Sequence, residues 1–428
     1  MPAEAAEIRR LETAFRDIFA GFGYGEVMTP TLEMESTLET AGEERFRKAF
    51  RFFDERGDVL VLRPEMTTPI ARLVSTRMTA SKPPFRLCYF ANSFQPTSPQ
   101  RGRQSEFLQA GLELIGGDSP ASDAEVLAVL CRSLETAGLR DFAIALGESS
   151  FFRALLDSIG VAGQDRPAIF GALVNRDLVE LSTVVRGLDI SEADRQAIMD
   201  ATALRGGSEV LIAARDLVCS LEMEQALKRL ARTYYLVSRH GHAGRIIFDM
   251  GMLLDFEYYT GIVFEVLSES LGFPIGGGGR YDGLLGRFGR PLPAVGFAVG
   301  LDRLHIAVTG QGAFPISGRC GVAIVGALDS ELGLADELRS AGVPVTALAD
   351  ETASEDTLRI AVDSGLRYVV IPESESYRLI EVAADEDGTA AEEAETREEE
   401  EAVSEEAASG EGELLSAEDL VKGLTESL

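Results

Sequence analysis

Residues 106–115 read Glu-Phe-Leu-Gln-Ala-Gly-Leu-Glu-Leu-Ile, a pattern typical of a β-strand with two different faces. Gln109 and Glu113 fall on one face, two pleats apart, and an aliphatic row falls on the other. Gly111 lies between the amide and the carboxylate and opens space there, because glycine has no side chain. Such a face could hold a small polar ligand. The alternative is that this face of the sheet is turned to solvent.

The segments around this strand predict an α+β fold over residues 1–315. An amphipathic first helix is followed by strand patterns of the antiparallel type mixed with helices, rather than by a doubly wound parallel sheet. Residues 150–240 are mainly helical, which predicts a helical insertion. The predicted strands besides 106–115 are Phe85–Ala91, Phe142–Gly147, Arg245–Met250, Tyr259–Leu267, Pro293–Val299 and a hairpin of Phe50–Asp54 with Asp58–Arg63.

Residues 316–428 predict a second, smaller α/β domain, in which short strands and helices alternate. This domain contains an acidic loop at 381–413 with a single basic residue, Arg397. The simplest interpretation is a solvated segment whose like charges repel one another. A docking arm for a basic partner surface is the alternative.

The charge balance limits the classes of partner. The 428 residues carry a formal net charge of −30, from 40 Lys and Arg against 70 Asp and Glu. Nucleic-acid affinity comes largely from basic side chains that neutralise phosphates, so broad tRNA or DNA binding is disfavoured. Four dispersed cysteines and three histidines predict neither a disulfide framework nor a metal site. No apolar stretch is long enough to cross a membrane, and we expect a cytoplasmic protein.

Two further segments carry residues suited to a binding site. Residues 62–68, Leu-Arg-Pro-Glu-Met-Thr-Thr, place a carboxylate and two hydroxyls where a strand leads into a helix. The alternative there is a helix cap formed by Thr67 or Thr68. The glycines of residues 276–279 could let the backbone approach a ligand closely, but a glycine run is more often a turn, and the sequence favours the turn.

Six motifs, taken in order, resemble those of the histidyl-tRNA synthetases. The resemblance covers most of residues 5–310 and, more weakly, the terminal domain, which is similar to the anticodon-binding domain of the synthetases. It implies a class II aminoacyl-tRNA synthetase-like fold, an antiparallel sheet flanked by helices, with a homodimer interface around Pro30. The motifs are Pro30, 62–67, Pro-Gln-Arg-Gly-Arg at 99–103 leading into Glu106, Tyr-Tyr-Thr-Gly at 258–261, Gly-Arg-Tyr-Asp-Gly at 279–283, and 294–304.

The resemblance also implies a pocket for L-histidine. In the family, the positions of Glu65, Thr67 and Gln109 bind the α-amino end of the amino acid. The positions of Glu113 and Tyr259 contact the imidazole. The histidine-binding residues implied in this chain are therefore Glu65, Thr67, Gln109, Glu113, Tyr258, Tyr259 and Tyr281, and Arg103 and Arg303 are retained on the ATP side.

Three positions depart from the synthetase pattern. Gln95 stands where the family has an arginine that grips the ATP α-phosphate, and Thr97 replaces an acidic residue. Leu254 replaces a second catalytic arginine. Because adenylate formation develops negative charge, the loss of one such donor typically costs about 10²–10³ in rate. We therefore expect that activation of the amino acid is lost, and the acidic terminal domain predicts that tRNA binding is lost as well.

A synthetase-like chain with these losses resembles the regulatory subunits of ATP phosphoribosyltransferase. In that family the subunit has no catalytic turnover and no cofactor. It assembles with a short-form catalytic subunit into a hetero-octamer, activates the first step of histidine biosynthesis and takes part in feedback inhibition by histidine. Two alternatives remain open. One is a divergent histidyl-tRNA synthetase that activates histidine with ATP, and the other is a structural assembly protein whose pocket binds nothing.

Overall fold

The computed structural model describes residues 2–42, 49–96, 105–254, 259–312, 321–325, 329–348, 366–373, 376–381 and 413–427. The chain folds into two compact units, Ile8–Ala313 and a second unit of Phe314–Leu428 with Met1–Glu7. Several predicted features fall outside the described residues. They are Thr97, Arg103, Tyr258 and nearly all of the acidic loop 381–413.

The elements up to residue 115 begin with one long helix. In chain order they are α1 (Pro2–Gly21), β1 (Gly25–Glu26), β2 (Leu32–Met34), α2 (Glu35–Ala41), β3 (Arg51–Phe53), β4 (Val59–Leu62), α3 (Thr67–Arg77), β5 (Phe85–Phe94) and β6 (Glu106–Ile115). The predicted hairpin is present as β3 and β4, which pair antiparallel on either side of the turn at Gly57. β2, β4 and β3 form a separate three-stranded sheet.

The middle of the chain is mainly helical, as the sequence predicts. Its elements are α4 (Pro120–Thr136), β7 (Phe142–Glu148), α5 (Ser149–Ile159), α6 (Arg166–Val174), α7 (Leu178–Gly187), α8 (Glu192–Ala203), β8 (Arg205–Gly206), α9 (Val210–Ala213), α10 (Leu221–Arg239) and β9 (Ile246–Asp249), with short 3₁₀ turns at Ala214–Leu217 and Ala243–Arg245. The longest helix of the insertion, α10, packs against α4 and α5.

Strands return after the insertion and complete the large sheet. They are β10 (Ile262–Ser268), β11 (Gly276–Arg280) and β12 (Ala294–Gly300), accompanied by α11 (Leu284–Arg287) and α12 (Leu301–Gly310). The nine strands lie in the order β1-β5-β6-β12-β11-β10-β7-β9-β8. All neighbours are antiparallel except β1 with β5 and β7 with β9. The α+β class and the largely antiparallel sheet are therefore as predicted.

The prediction that the glycine run is a turn was wrong. Gly276–Arg280 is strand β11, hydrogen-bonded on both sides to β10 and β12. A Cβ atom on Gly276 or Gly278 would overlap a carbonyl oxygen of β12, and one on Gly277 would lie 2.7 Å from the Phe264 carbonyl oxygen. Neighbouring strands that approach this closely leave room only for glycine, and their backbones supply the hydrogen bonds that hold the run extended.

The second unit is a small α/β unit. Its described elements are β13 (Val322–Val325), α13 (Asp329–Ser340), β14 (Val345–Leu348), β15 (Tyr368–Glu373), β16 (Ser376–Glu381), β17 (Glu413–Leu415) and α14 (Ala417–Ser427). The sheet order is β14-β13-β15-β16-β17. Parallel pairing surrounds β13, whereas β15, β16 and β17 pair antiparallel. Leu338 of α13 and Leu420 of α14 are buried against this sheet.

No helix among the described residues is long and apolar enough to span a lipid bilayer.

Candidate functional site

A cavity of about 320 Å³ lies against the large sheet, at the start of α3 and across β6, β12 and β11. The described residues that the sequence assigns to the pocket all line this cavity. They are Glu65, Thr67, Gln109, Glu113, Tyr259 and Tyr281. Gln95, Leu254 and Arg303 line it as well. The structure therefore brings together residues from six separate segments of the chain.

Glu113 lies at the centre of the hydrogen bonding in the cavity. Its side chain is 1% exposed. Oε1 accepts a 2.9 Å hydrogen bond from the Thr67 hydroxyl, and Oε2 accepts one from the Tyr281 hydroxyl. Burial raises the pKa of Glu113 to about 8, although both hydrogen bonds act to lower it. A carboxyl with this pKa can exchange a proton with a weak base such as an imidazole near neutral pH.

Gln109 and Glu113 both line the cavity, as their shared strand face predicts. The alternative that this face is turned to solvent was wrong. Gln109 Oε1 accepts a 2.7 Å hydrogen bond from the Ser93 hydroxyl on the neighbouring strand β5. This bond fixes which end of the amide is its acceptor, so its NH₂ group is directed away from Ser93.

The space beside Gly111 is not empty, because a Cβ atom there would overlap the hydroxyl of Tyr89. Tyr89 lies on β5 directly across from Gly111, is fully buried and lines the cavity. Burial raises the pKa of this phenol well above its usual value. Sequence reasoning missed Tyr89. The only signal for it was the glycine across the sheet.

Glu65 caps α3 with its side chain. Its two carboxylate oxygens accept hydrogen bonds from the backbone N–H groups of Thr67 and Thr68. The alternative of a cap made by a threonine hydroxyl was wrong, since the Thr67 hydroxyl donates to Glu113 instead. Burial raises the pKa of Glu65, and the hydrogen bonds from the two threonines oppose that shift. The cap fixes the Glu65 carboxylate at the edge of the cavity.

Two glycines on neighbouring strands make room for the pocket side chains. Gly296 of β12 lies directly opposite Glu113, and a Cβ atom on it would overlap the Glu113 carboxylate. A Cβ atom on Gly279 of β11 would lie 2.8 Å from the Tyr259 ring. Each glycine therefore permits one polar side chain to pack flat on the sheet.

Gln95 and Leu254, which the motif resemblance matches to synthetase arginines, lie at the cavity wall. Gln95 Nε2 donates a 2.9 Å hydrogen bond to the Pro64 carbonyl oxygen, and Leu254 packs against the apolar core. Arg303, which is retained, donates to the Pro274 carbonyl oxygen at 2.8 Å and lies over the Phe273 ring. The cavity wall at Gln95 and Leu254 therefore carries an amide and an aliphatic side chain.

Acidic residues outnumber basic ones in the described lining of the cavity. Glu65, Glu113, Glu265 and Asp302 line it together with one guanidinium, that of Arg303. Glu265 is paired with Arg176 of the helical insertion, and Asp302 accepts a 3.0 Å hydrogen bond from the Leu108 N–H. This balance suits a ligand with cationic groups. Within the described ranges, no cluster of three or more His, Cys, Asp or Glu side chains could hold a metal ion.

Comparisons with known proteins identify the family. A sequence model described as histidyl-tRNA synthetase matches residues 1–304. A curated relative from Moorella thermoacetica, named ATP phosphoribosyltransferase regulatory subunit, is 40% identical over 377 residues. The match spans 87% of this chain and 96% of the relative.

Two solved structures are similar to the chain. One, titled ATP phosphoribosyltransferase regulatory subunit/histidyl-tRNA synthetase, from Bacillus halodurans, is 31% identical with a TM-score of 0.76, covering 86% of this chain and 95% of that one. Histidyl-tRNA synthetase from a Nostoc species is 20% identical with a TM-score of 0.80 over 100% of this chain and 97% of its own, which shows a shared fold. The chain thus belongs to the family of ATP phosphoribosyltransferase regulatory subunits and has the class II fold of the histidyl-tRNA synthetases.

Proposed function

We propose that this chain is a non-catalytic regulatory subunit of ATP phosphoribosyltransferase, the first enzyme of histidine biosynthesis. In this proposal the short catalytic subunit requires the chain for activity, and the two assemble into a hetero-octamer. The chain also takes part in feedback inhibition by L-histidine, which binds in the cavity. Family membership supports the regulatory role, and the cavity supports the ligand.

One observation carries the proposal. The cavity is lined by carboxylates, an amide and hydroxyls that would suit an amino acid with an imidazole side chain, and by Gln95 and Leu254 at the positions that the motif resemblance matches to synthetase arginines. An adenylate-forming site must stabilise charge that develops on the α-phosphate, and preorganised cations are the main means of doing so. A neutral amide hydrogen-bonded to Pro64 and an aliphatic side chain supply no such charge. Binding without activation is the chemistry that these residues support.

The hydrogen-bonding groups suit the two ends of histidine. The Glu65 carboxylate and the Gln109 amide oxygen each accept one or more hydrogen bonds within the protein, and their remaining lone pairs would accept from the α-ammonium group. Glu113 and Tyr281 are already hydrogen-bonded to one another in a buried setting, and an imidazole N–H could replace or join that contact. Charge-assisted hydrogen bonds of this kind are the strong ones in a desolvated pocket.

Regulation follows from linkage in this proposal. Histidine can shift the activity of the complex only by binding one of its conformations more tightly than another. If histidine changes the affinity of the chain for the catalytic subunit by some factor, assembly with that subunit changes the affinity of the chain for histidine by the same factor.

Self-association of the chain is part of the proposal. Large exposed apolar side chains are concentrated in residues 28–53, around the Pro30 motif and the small three-stranded sheet. Exposed apolar surface of this kind marks sites of protein association. We propose that this surface forms a class II-type homodimer interface. The residues are Met28, Leu32, Met34, Phe52 and Phe53.

Reconstitution tests the proposal. The chain is mixed with a short-form catalytic ATP phosphoribosyltransferase from the same source, and formation of phosphoribosyl-ATP is followed with and without L-histidine. We expect activity that increases strongly in the mixture and falls when histidine is added. Absence of a complex and of activation would contradict the regulatory role, whereas activation that histidine does not affect would contradict only the feedback role.

A divergent histidyl-tRNA synthetase is the second candidate. The combined name of the Bacillus halodurans protein and the presence of Arg303 at the cavity favour it. Histidine-dependent exchange between ATP and pyrophosphate separates the two candidates, because a regulatory subunit without adenylate chemistry gives no exchange. Exchange well above a no-histidine control would support the synthetase.

A further inference from the structure

A buried ionic cluster lies beside the cavity and takes no part in its lining. Its centre is Arg280, the last residue of β11, whose side chain is 1% exposed. Arg280 donates from Nε and Nη2 to Asp123 Oδ1, at 2.8 and 2.5 Å, and from Nη1 to Asp282 Oδ1 and to the Gly117 carbonyl oxygen. Asp123 lies in the first turn of α4 and is fully buried. The pair is therefore desolvated and held in a single geometry.

The helical insertion supplies a third charge to this cluster. Arg229 of α10 donates a 3.0 Å hydrogen bond from Nε to Asp123 Oδ2, the oxygen that Arg280 does not use. Its Nη1 reaches Asp118 at 3.3 Å. Its Nη2 is buried and has no hydrogen-bond partner among the described residues. A single carboxylate thus connects the insertion to the strand that ends at the cavity.

The cluster continues into the two pocket tyrosines through the backbone. Tyr281 follows Arg280 directly, and its hydroxyl donates to Glu113. The Thr260 N–H donates to the Arg280 carbonyl oxygen at 2.7 Å, and the Asp282 N–H donates to the Thr260 hydroxyl at 3.0 Å. Tyr259 precedes Thr260 in the sequence and also lines the cavity. Both tyrosines are therefore held by segments that Arg280 joins.

Stability alone is a poor reason for such a cluster. Replacing a buried ion pair by apolar residues of the same volume is often neutral or stabilising, whereas a pair that is hydrogen-bonded on every side fixes one arrangement of its elements. Here the elements fixed relative to one another are α10 of the insertion, α4, and the end of β11, which Tyr281 directly follows.

We propose that Arg229 is a positioning residue of the pocket: through Asp123 and Arg280 it sets the placement of Tyr281, and so couples the helical insertion to ligand affinity. This inference rests on the proposed function, in which the cavity binds L-histidine. It assigns to the insertion a part in regulating that same site. A partner that moves α10 would change histidine affinity by this route.

Isothermal titration of the full chain with L-histidine tests the inference. Arg229→Leu leaves Asp123 paired with Arg280, so the buried carboxylate keeps a counter-charge and the variant is expected to fold. We expect histidine affinity to fall by between about twofold and thirtyfold, the usual range for residues that act on a site from a distance. Arg229→Lys restores a cation and should recover part of the affinity. The control is Arg232→Leu on the same helix, whose guanidinium lies over the Tyr235 ring, and it should match the unmutated chain.

A double-mutant cycle separates positioning from general destabilisation. In a Tyr281→Phe background the hydroxyl that the cluster positions is absent, so Arg229→Leu should cost much less affinity there. Unchanged affinity in both Arg229 variants, or an equal loss in both backgrounds, would overturn the inference and leave the proposed function intact. If Arg229→Leu does not fold, the cycle is run with Arg229→Lys under the same criteria. No histidine binding by the unmutated chain would overturn the histidine pocket and this inference together.

Discussion

Glu113 is the residue whose surroundings say most about the proposed ligand. Two hydroxyls from different segments donate to its carboxylate, which lies opposite a glycine that leaves it room. No arginine or lysine is among its hydrogen-bond partners in the described part of the chain. A buried carboxyl with neutral partners is costly to ionise, and a ligand that brings its own positive charge would relieve that cost.

Glu113→Gln should weaken L-histidine binding, because the amide keeps the size of the side chain but cannot take on the negative charge that a cationic ligand would favour. Hydrogen bonds to charged groups contribute about 1.5–3 kcal/mol, so affinity should fall by about ten- to a hundredfold. Titration calorimetry measures the change. The control is Glu106→Gln on the same strand, whose exposed side chain accepts from Asn92. Equal affinity for Glu113→Gln and the unmutated chain would remove Glu113 from the pocket.

The raised pKa of Glu113 also predicts how stability depends on pH. The unfolded chain releases this proton near pH 4.5, whereas the folded chain keeps it up to about pH 8. The folded state therefore binds the extra proton in this window, and the group contributes stability that is lost as pH rises, by about 1.4 kcal/mol per pH unit. Urea denaturation at pH 5, 6, 7 and 8 should show a smaller decline for Glu113→Gln than for the unmutated chain. Parallel declines would show that Glu113 ionises normally in the fold.

Strand β11 is the element on which the shape of the site depends. Its glycines let β10 and β12 approach closely. Tyr281, which directly follows the strand, lines the cavity. Residues with side chains in place of these glycines would push the neighbouring strands apart. The Tyr259 side chain, which packs against Gly279, would be displaced, and so would the Glu113 side chain, which packs against Gly296 of β12. The glycines therefore serve the geometry of the pocket at a cost in backbone entropy.

Gly278→Ala should destabilise the large unit by at least about 1–3 kcal/mol, the usual cost of forcing an extra methyl group into a packed site. Its Cβ would overlap a carbonyl oxygen and lie 2.7 Å from the Phe297 Cα, and neither backbone atom can move freely. Gly283→Ala is the matched control, since its Cβ meets nothing within 4 Å and its φ of −84° suits any residue. Thermal or urea unfolding measures both. A stable Gly278→Ala variant would mean that the three strands can separate.

At the scale of the whole molecule, five of the large apolar side chains that are exposed among the described residues lie within residues 28–53. Met28 is 86% exposed and Phe53 is 75% exposed. β3, which carries Phe53, is one of the two edge strands in the order β2-β4-β3, and all three of its residues are exposed. An exposed apolar edge of this kind is a site where a second chain can pair.

Phe53→Glu should therefore disrupt self-association, because a carboxylate would be buried in an apolar interface without a partner. Light scattering after gel filtration should give twice 46.1 kDa for the unmutated chain and about 46.1 kDa for the variant. Val179→Glu is the control, since Val179 is 80% exposed on α7, away from residues 28–53 in the sequence. A dimer that persists in Phe53→Glu would place the interface elsewhere.

Local sequence patterns predicted much of this site because they depend on local geometry. The alternation of side chains along β6 is a property of any extended strand, so it placed Gln109 and Glu113 together before any partner strand was known. Tyr89, Glu65 as a helix cap and Arg280 as the centre of an ionic cluster were not predictable in this way. Each acts through a residue that is distant in sequence or through a backbone group whose position depends on tertiary packing.

The sequence by itself determined the α+β class, the hairpin around Gly57, the helical insertion and the family, since these follow from periodicity, turn residues and ordered motifs. Only the tertiary structure decided that residues 276–280 form a central strand. Four successive glycines have almost no conformational preference of their own, and the hydrogen bonds that extend them come from β10 and β12. The same holds for the cavity, whose walls are joined by contacts such as Thr67 with Glu113 and Arg229 with Asp123, between residues that meet only when the chain is folded.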